Sequence, residues 1–132
     1  MKNNLTKNYK YLISSQRDED WGITVNTVGC ETIEKNYETY PPRTGHPAQF
    51  FFTPSHGRKL DSYQLLYIIK GKGIFFTSPE DSMDIKEGDM IILRPNQWHS
   101  YMPDKKTGWT EMWIGFEVAN MDNRFKNNFF NK

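Results

Sequence analysis

Apolar and polar positions alternate most strictly over residues 109–118. Trp109, Glu111, Trp113, Gly115 and Glu117 fall on one side, and Thr110, Met112, Ile114, Phe116 and Val118 fall on the other. A strand has this two-residue period. The second set reads as a plain packing face, whereas the first puts a carboxylate between two indoles, which is unusual for a surface that only has to be buried. Residues 63–76, YQLLYIIKGKGIFF, hold two apolar runs around Gly71-Lys72-Gly73. Glycine allows the positive φ of a tight turn, so this stretch predicts a β-hairpin.

The rest of the chain breaks into similar short pieces. Residues 1–20 are polar, with Tyr11-Leu12-Ile13 as the only apolar anchor, and predict an arm. Residues 21–33 carry Ile23, Thr24, Val25, Thr27 and Val28 and predict a strand interrupted at Gly29. Residues 39–47 contain Pro41, Pro42, Gly45 and Pro47 and predict a loop. A strand through three phenylalanines is expected over 49–53, then a turn around Gly57 that delivers Arg58. Short strands follow at 83–86, 90–93 (buried) and 98–101, the last holding His99 and Tyr101, with turns at 78–81, 87–89 and 95–97 and a polar loop over 103–108. Strands at this spacing indicate an all-β sandwich or barrel. Beyond Val118, Met121, Phe125 and Phe129 lie four apart, one stripe of a helix that begins near Asn120 and marks a core contact or a subunit interface. The stripe runs to the last residues, which suggests a piece of a longer protein.

At 132 residues the chain is one domain. Lys plus Arg is 17 against 16 for Asp plus Glu, so there is none of the basic excess of a phosphate-binding surface. No segment approaches the roughly 20 apolar residues of a membrane span, and the N-terminus lacks the apolar core of a secretory signal. The expected compartment is the cytoplasm, which a single cysteine, Cys30, fits. Aromatics are 15% of the residues, which suits a small barrel with a lined interior.

Metal chemistry is disfavoured by spacing. Of His46, His56 and His99, no two form a His-x-His pair, and two lie in Pro- and Gly-rich loops, so no metal and no cofactor is expected. Cys30 has no basic neighbours that would activate it. Glu111 and Glu117 share a face, but six residues of strand separate them by about 20 Å, too far for glycosidase carboxylates. The Trp109/Glu111/Trp113 face has two readings. An indole covers the apolar face of a pyranose while the carboxylate accepts hydroxyl hydrogen bonds, with Tyr101, Arg58 and His99 completing a pocket. Alternatively, the tryptophans pack under a neighbouring element and Glu111 reaches solvent.

The run Gly57-Arg58-x-Leu60-x-x-Tyr63-Gln64-Leu65-x-Tyr67-Ile68-x-x-Gly71-x-Gly73 is followed by Glu87-Gly88-Asp89, by Pro95-x-x-Trp98-His99-x-Tyr101 and by Gly108-Trp109-x-Glu111-x-Trp113-Ile114-Gly115-Phe116. In this order the motifs resemble the N-terminal domain of AraC-type transcription regulators, and Trp21-Gly22, Gly29, Tyr40-Pro41-Pro42 and His46-Pro47 resemble its front end. The resemblance implies a cupin barrel, a double-stranded β-helix of the jelly-roll kind, that binds an effector, commonly a sugar. It also implies dimerising helices and, beyond this chain, a C-terminal double helix-turn-helix that reads DNA. By the same resemblance, Tyr101, Glu111 and Trp113 occupy the ligand-contact positions of the arabinose-responsive member, and Arg58 is nearest to its sugar-binding arginine. Glu111 stands where that relative has histidine, so arabinose itself is not implied.

The expectation is therefore an all-β chain with a C-terminal helix: an arm over 1–20, an effector-binding barrel over 21–118 and the start of a dimerisation helix over 119–132. The ligand set would be Arg58, His99, Tyr101, Trp109, Glu111 and Trp113. The partners would be a mono- or oligosaccharide effector and a second copy, with DNA contacted only through the absent domain, and there would be no membrane partner. The competing reading is a stand-alone cupin sugar isomerase or epimerase using Glu111, His99 and Tyr101 as acid/base groups.

Overall fold

The computed structural model describes residues 7–42, 52–118 and 126. Among these residues, seven strands form one hydrogen-bonded sheet: β1 (Lys7–Tyr11), β2 (Ile23–Ile33), β3 (Tyr63–Phe76), β4 (Ser82–Lys86), β5 (Met90–Leu93), β6 (Ser100–Pro103) and β7 (Trp109–Val118). All pairings are antiparallel, in the order β1-β2-β7-β3-β4, with β5 and β6 also pairing with β3. One short helix, α1 (Gln16–Asp20), starts from a capping box in which the Ser15 hydroxyl accepts from the Asp18 N–H and Asp18 accepts from the Ser15 N–H. The architecture is the cupin double-stranded β-helix. The helical stripe of Met121, Phe125 and Phe129 lies outside the described residues, as do His46 and most of the expected strand over 49–53; Phe52 and Thr53, its last two residues, are not in a strand.

The hairpin expected at Gly71–Gly73 is not there. β3 runs unbroken for 14 residues, and its two halves serve different partners. Tyr63–Tyr67 pair with β5 and β7, whereas Lys72–Phe76 pair with β4 and β6. The strand changes direction at a register shift between Ile68 and Lys70, next to Gly71 at φ +89°. The positive φ read as a turn is a bend that carries one strand from one side of the barrel to the other. A side chain at Gly71 would also collide with the Gly108 carbonyl.

Gly29 likewise does not interrupt its strand. β2 passes straight through it, and the irregularity falls instead between Val25 and Thr27. A Cβ at Gly29 would land on the Trp113 indole, so the glycine makes room for a ring that fills the barrel. The last expected strand also shifts: β6 begins at Ser100, and His99 is held by a single bridge to Arg58. β5 is buried fully only at Leu93, with Met90 on the surface.

The inside of the barrel is built in layers that follow the register. Glu31, Glu111 and Ile68 sit side by side, Gly29, Trp113 and Leu66 form the next row, and Thr27, Gly115 and Gln64 the one after. Phe75 and Tyr101 face them from the other half, 6.2 Å apart and stacked. On β7 the Trp109/Glu111/Trp113 side points inward. The side expected to be the packing face is on the outside, where Met112 and Ile114 stay 47% and 41% exposed beside Tyr67 and Met90.

Candidate functional site

Four strands and two loops place the polar groups of the interior: Glu31 on β2, Gln64 on β3, Tyr101 on β6 and Glu111 on β7, with Tyr40 and Arg58 on the loops. Arg58 follows the turn at Gly57, and its backbone exchanges both hydrogen bonds with His99, at 2.9 and 3.0 Å. That bridge puts the guanidinium alongside β6. Arg58 Nε donates to His99 Nε2 at 2.9 Å and Nη2 donates to the Tyr101 hydroxyl at 2.6 Å. The guanidinium also lies over the Phe52 ring, 4.7 Å from its centre.

Because Arg58 can only donate, His99 Nε2 must be the acceptor, which leaves Nδ1–H to donate to the Gln97 carbonyl at 3.2 Å. His99 is thereby fixed as the neutral imidazole. Burial, and then the Arg58 charge, push its pKa down to about 4. Tyr101 goes the other way, to about 12, chiefly through burial and against the pull of Arg58.

Glu111 is the central acceptor. Its side chain is 6% exposed, and the Tyr40 hydroxyl donates to its Oε2 at 2.8 Å. Burial raises its pKa to about 7; the Tyr40 hydrogen bond and the Arg58 charge oppose this, while the Glu31 carboxylate directly across on β2 adds to it. The Trp109 indole N–H favours the charged form without forming a full hydrogen bond, and it has no other partner among the described residues. Trp113 is held by its own N–H, which donates to Thr27 Oγ1 at 3.3 Å.

These groups surround a cavity of about 40 Å3, lined among others by Glu31, Arg58, Gln64, Tyr101, Glu111 and Trp113. Gln64 is 6% exposed, and its buried carbonyl oxygen has no partner among the described residues. The cavity thus offers acceptors at Glu111 and Gln64 and donors at Arg58 and Tyr101, inside a wall of rings. Of the six residues expected from sequence, Arg58, Tyr101, Glu111 and Trp113 line it together. His99 and Trp109 do not; His99 accepts from Arg58 and stacks on the Tyr101 ring, and Trp109 lies on Tyr101 with ring centres 6.1 Å apart. Glu117 is exposed, well away from Glu111. Among the described residues no three His, Cys, Asp or Glu side chains gather as metal ligands.

A family profile described as the AraC-like ligand binding domain matches residues 37–129. The chain belongs to this family. The AraC-like domain is 38% identical over 59 residues to the raffinose operon transcriptional regulatory protein RafR of Pediococcus pentosaceus, a match covering 45% of this chain and 21% of that protein. It is 30% identical over 66 residues to the Msm operon regulatory protein of Streptococcus mutans serotype c, covering 50% and 23%. The matched segments therefore span about a fifth of the length of these relatives. Among solved structures it is similar to the Escherichia coli protein YhaK, at 14% identity with a TM-score of 0.57 over 87% of this chain and 46% of that one, a likeness of fold alone. An RmlC-like cupin with a double-stranded β-helix fold from Methanocaldococcus jannaschii gives a TM-score of 0.49 at 13% identity, over 93% and 89%.

Sequence reasoning passed over several lining residues of the AraC-like domain: Tyr11, Thr27, Glu31, Tyr40, Phe52 and Gln64. Glu31 shares the parity of Thr27, Gly29 and Ile33 along β2, so the alternation carried a signal. Tyr40 carried none, since it sits in a Pro-rich loop without a period.

Proposed function

We propose that this AraC-like domain is the effector-binding part of a transcription regulator of carbohydrate use, and that its effector is a neutral saccharide. The observation that carries this reading is the Gln64 carbonyl and the Glu111 carboxyl facing the same small cavity as the Arg58 and Tyr101 donors, between the rings of Trp113 and Tyr40. A sugar hydroxyl both donates and accepts, and its ring carbons stack on aromatic faces. The relatives' names, a raffinose operon regulator among them, support the same class. Arg58, Tyr101, Glu111 and Trp113 would contact the effector, with His99 and Trp109 positioning them. The regulator would act in the cytoplasm as a homodimer and meet DNA through a domain outside this chain.

A thermal-shift screen over mono- and oligosaccharides tests this. Ligand at about 100 times its dissociation constant adds about 2.7 kcal/mol of stability. Glu111→Ala and Trp113→Ala should each remove most of the response, and the pocket lies elsewhere if both bind like the parent.

The isomerase reading draws on Glu111, whose pKa of about 7 suits a general base. Against it, His99 is committed to Arg58 and Gln97 and does not line the cavity. Aldoses incubated with the protein and followed by proton NMR should show no interconversion.

A further inference from the structure

The interior cavity of about 40 Å3 has room for only a few waters, whereas ligand sites run to about 300–1,000 Å3. A groove of about 660 Å3 lies against it, lined by Tyr37, Glu38, Thr39, Pro54, Met102 and Lys105. Tyr40, Pro41 and Phe52 line both spaces. Among the described residues, the rings between them are those of Tyr40 and Phe52, set edge to face with centres 6.1 Å apart.

Tyr40 points into the barrel. It is 6% exposed, its ring meets Tyr101 and Trp109, and its hydroxyl occupies Glu111 Oε2 at 2.8 Å. A phenol in that place gives Glu111 the hydrogen bond that an effector hydroxyl would give. The backbone of residues 34–42 belongs to no strand, so the ring can leave without breaking the sheet.

We propose that the two spaces are one effector site, closed in the free domain by Tyr40, and that its ligand is a saccharide of at least two rings. This rests on the sugar reading above. One ring replaces the phenol on Glu111, and the next lies in the outer groove. That groove has the chemistry for it. Tyr37 and Met102 offer apolar surface, while Glu38, Thr39 and Lys105 offer acceptors and donors. The Tyr37 ring is fixed in advance, its hydroxyl donating to the Pro103 carbonyl at 2.6 Å. Displacing Tyr40 lowers the apparent affinity of every effector, and only a ligand long enough to gain the groove offsets that cost.

Titration calorimetry of the whole chain against raffinose, melibiose, sucrose and maltose, and against galactose, glucose and fructose, tests the proposal. The best oligosaccharide should bind at least about tenfold more tightly than any of its component hexoses. Tyr40→Ala should tighten hexose binding, and Tyr40→Phe, which keeps the ring and frees Glu111, should do so less. Thr39→Trp, at an exposed groove position, should weaken the oligosaccharide by about tenfold and leave hexoses unchanged. Near-UV circular dichroism checks each variant's fold. Equal binding of hexose and oligosaccharide, with Thr39→Trp silent, overturns the two-ring site but keeps the sugar reading. A loss of all sugar binding in a folded Tyr40→Ala makes Tyr40 a contact and overturns its role as a plug. No saccharide bound by parent or Tyr40→Ala removes the sugar reading itself.

Discussion

Glu111 and His99 answer pH in opposite senses. Glu111 is raised from an ordinary 4.5 to about 7, so the folded state holds a proton that the unfolded chain has released. Its contribution is complete below about pH 4.5 and is lost as pH rises through 7, an effect on the order of 3 kcal/mol at 1.36 kcal/mol per pH unit. His99 is lowered from 6.5 to about 4, so its contribution is present above pH 6.5 and is lost as pH falls towards 4. Glu111→Gln should therefore flatten the decline in stability between about pH 5 and 7 while leaving the acid limb, measured by urea unfolding at a series of pH values. Arg58 links the two sites. Lysine cannot reproduce a fork that reaches His99 and Tyr101 at once, so Arg58→Lys should cost about 1–3 kcal/mol. Removing the charge with Arg58→Ala should let the His99 pKa rise part of the way towards 6.5, since burial is the larger cause; imidazole NMR titration reads this directly.

Among the strands, β2 and β7 carry the site because their register sets Glu31 beside Glu111 and Gly29 beneath Trp113. A methyl group at Gly29 has nowhere to go except into the indole. Gly29→Ala should cost about 1–3 kcal/mol and alter the indole fluorescence, whereas an equal loss of stability with an unchanged emission spectrum would place the strain elsewhere. β1 adds Tyr9 at 6.4 Å from the Trp113 ring, and Tyr11 at the cavity wall. Burial, then the neighbouring Tyr9, push the Tyr11 phenol up to about 12. A chain starting at Leu12 should lose these rings and bind its effector more weakly in calorimetry, with the rest of the barrel retained.

Over the whole molecule, the polar chemistry is inside and an apolar sheet face is outside, where Met112, Ile114, Tyr67 and Met90 adjoin. The charges nearly cancel, at a formal net +1, and α1, the one helix whose bounds are described, is five residues long. This chain alone should give no sequence-dependent gel shift at physiological salt. A specific shift would mean that the barrel itself reads DNA.

The alternation over residues 109–118, the turn residues and the motif order were enough to determine an all-β barrel and to single out Glu111 and Trp113, because strand period and turn chemistry are local properties of the chain. Tertiary structure alone decided that β3 passes through Gly71 instead of turning there. The same glycine φ serves a hairpin or a bend, and only the partners on either side select between them. It also decided which β7 face is interior, since both faces are apolar enough to be buried and closure of the barrel admits just one. Arg58 meets His99 and Tyr101 across some forty residues of sequence, and Tyr40 reaches Glu111 across seventy-one. Such contacts leave no periodic trace in a sequence, because they depend on where a loop is carried once the sheet has closed.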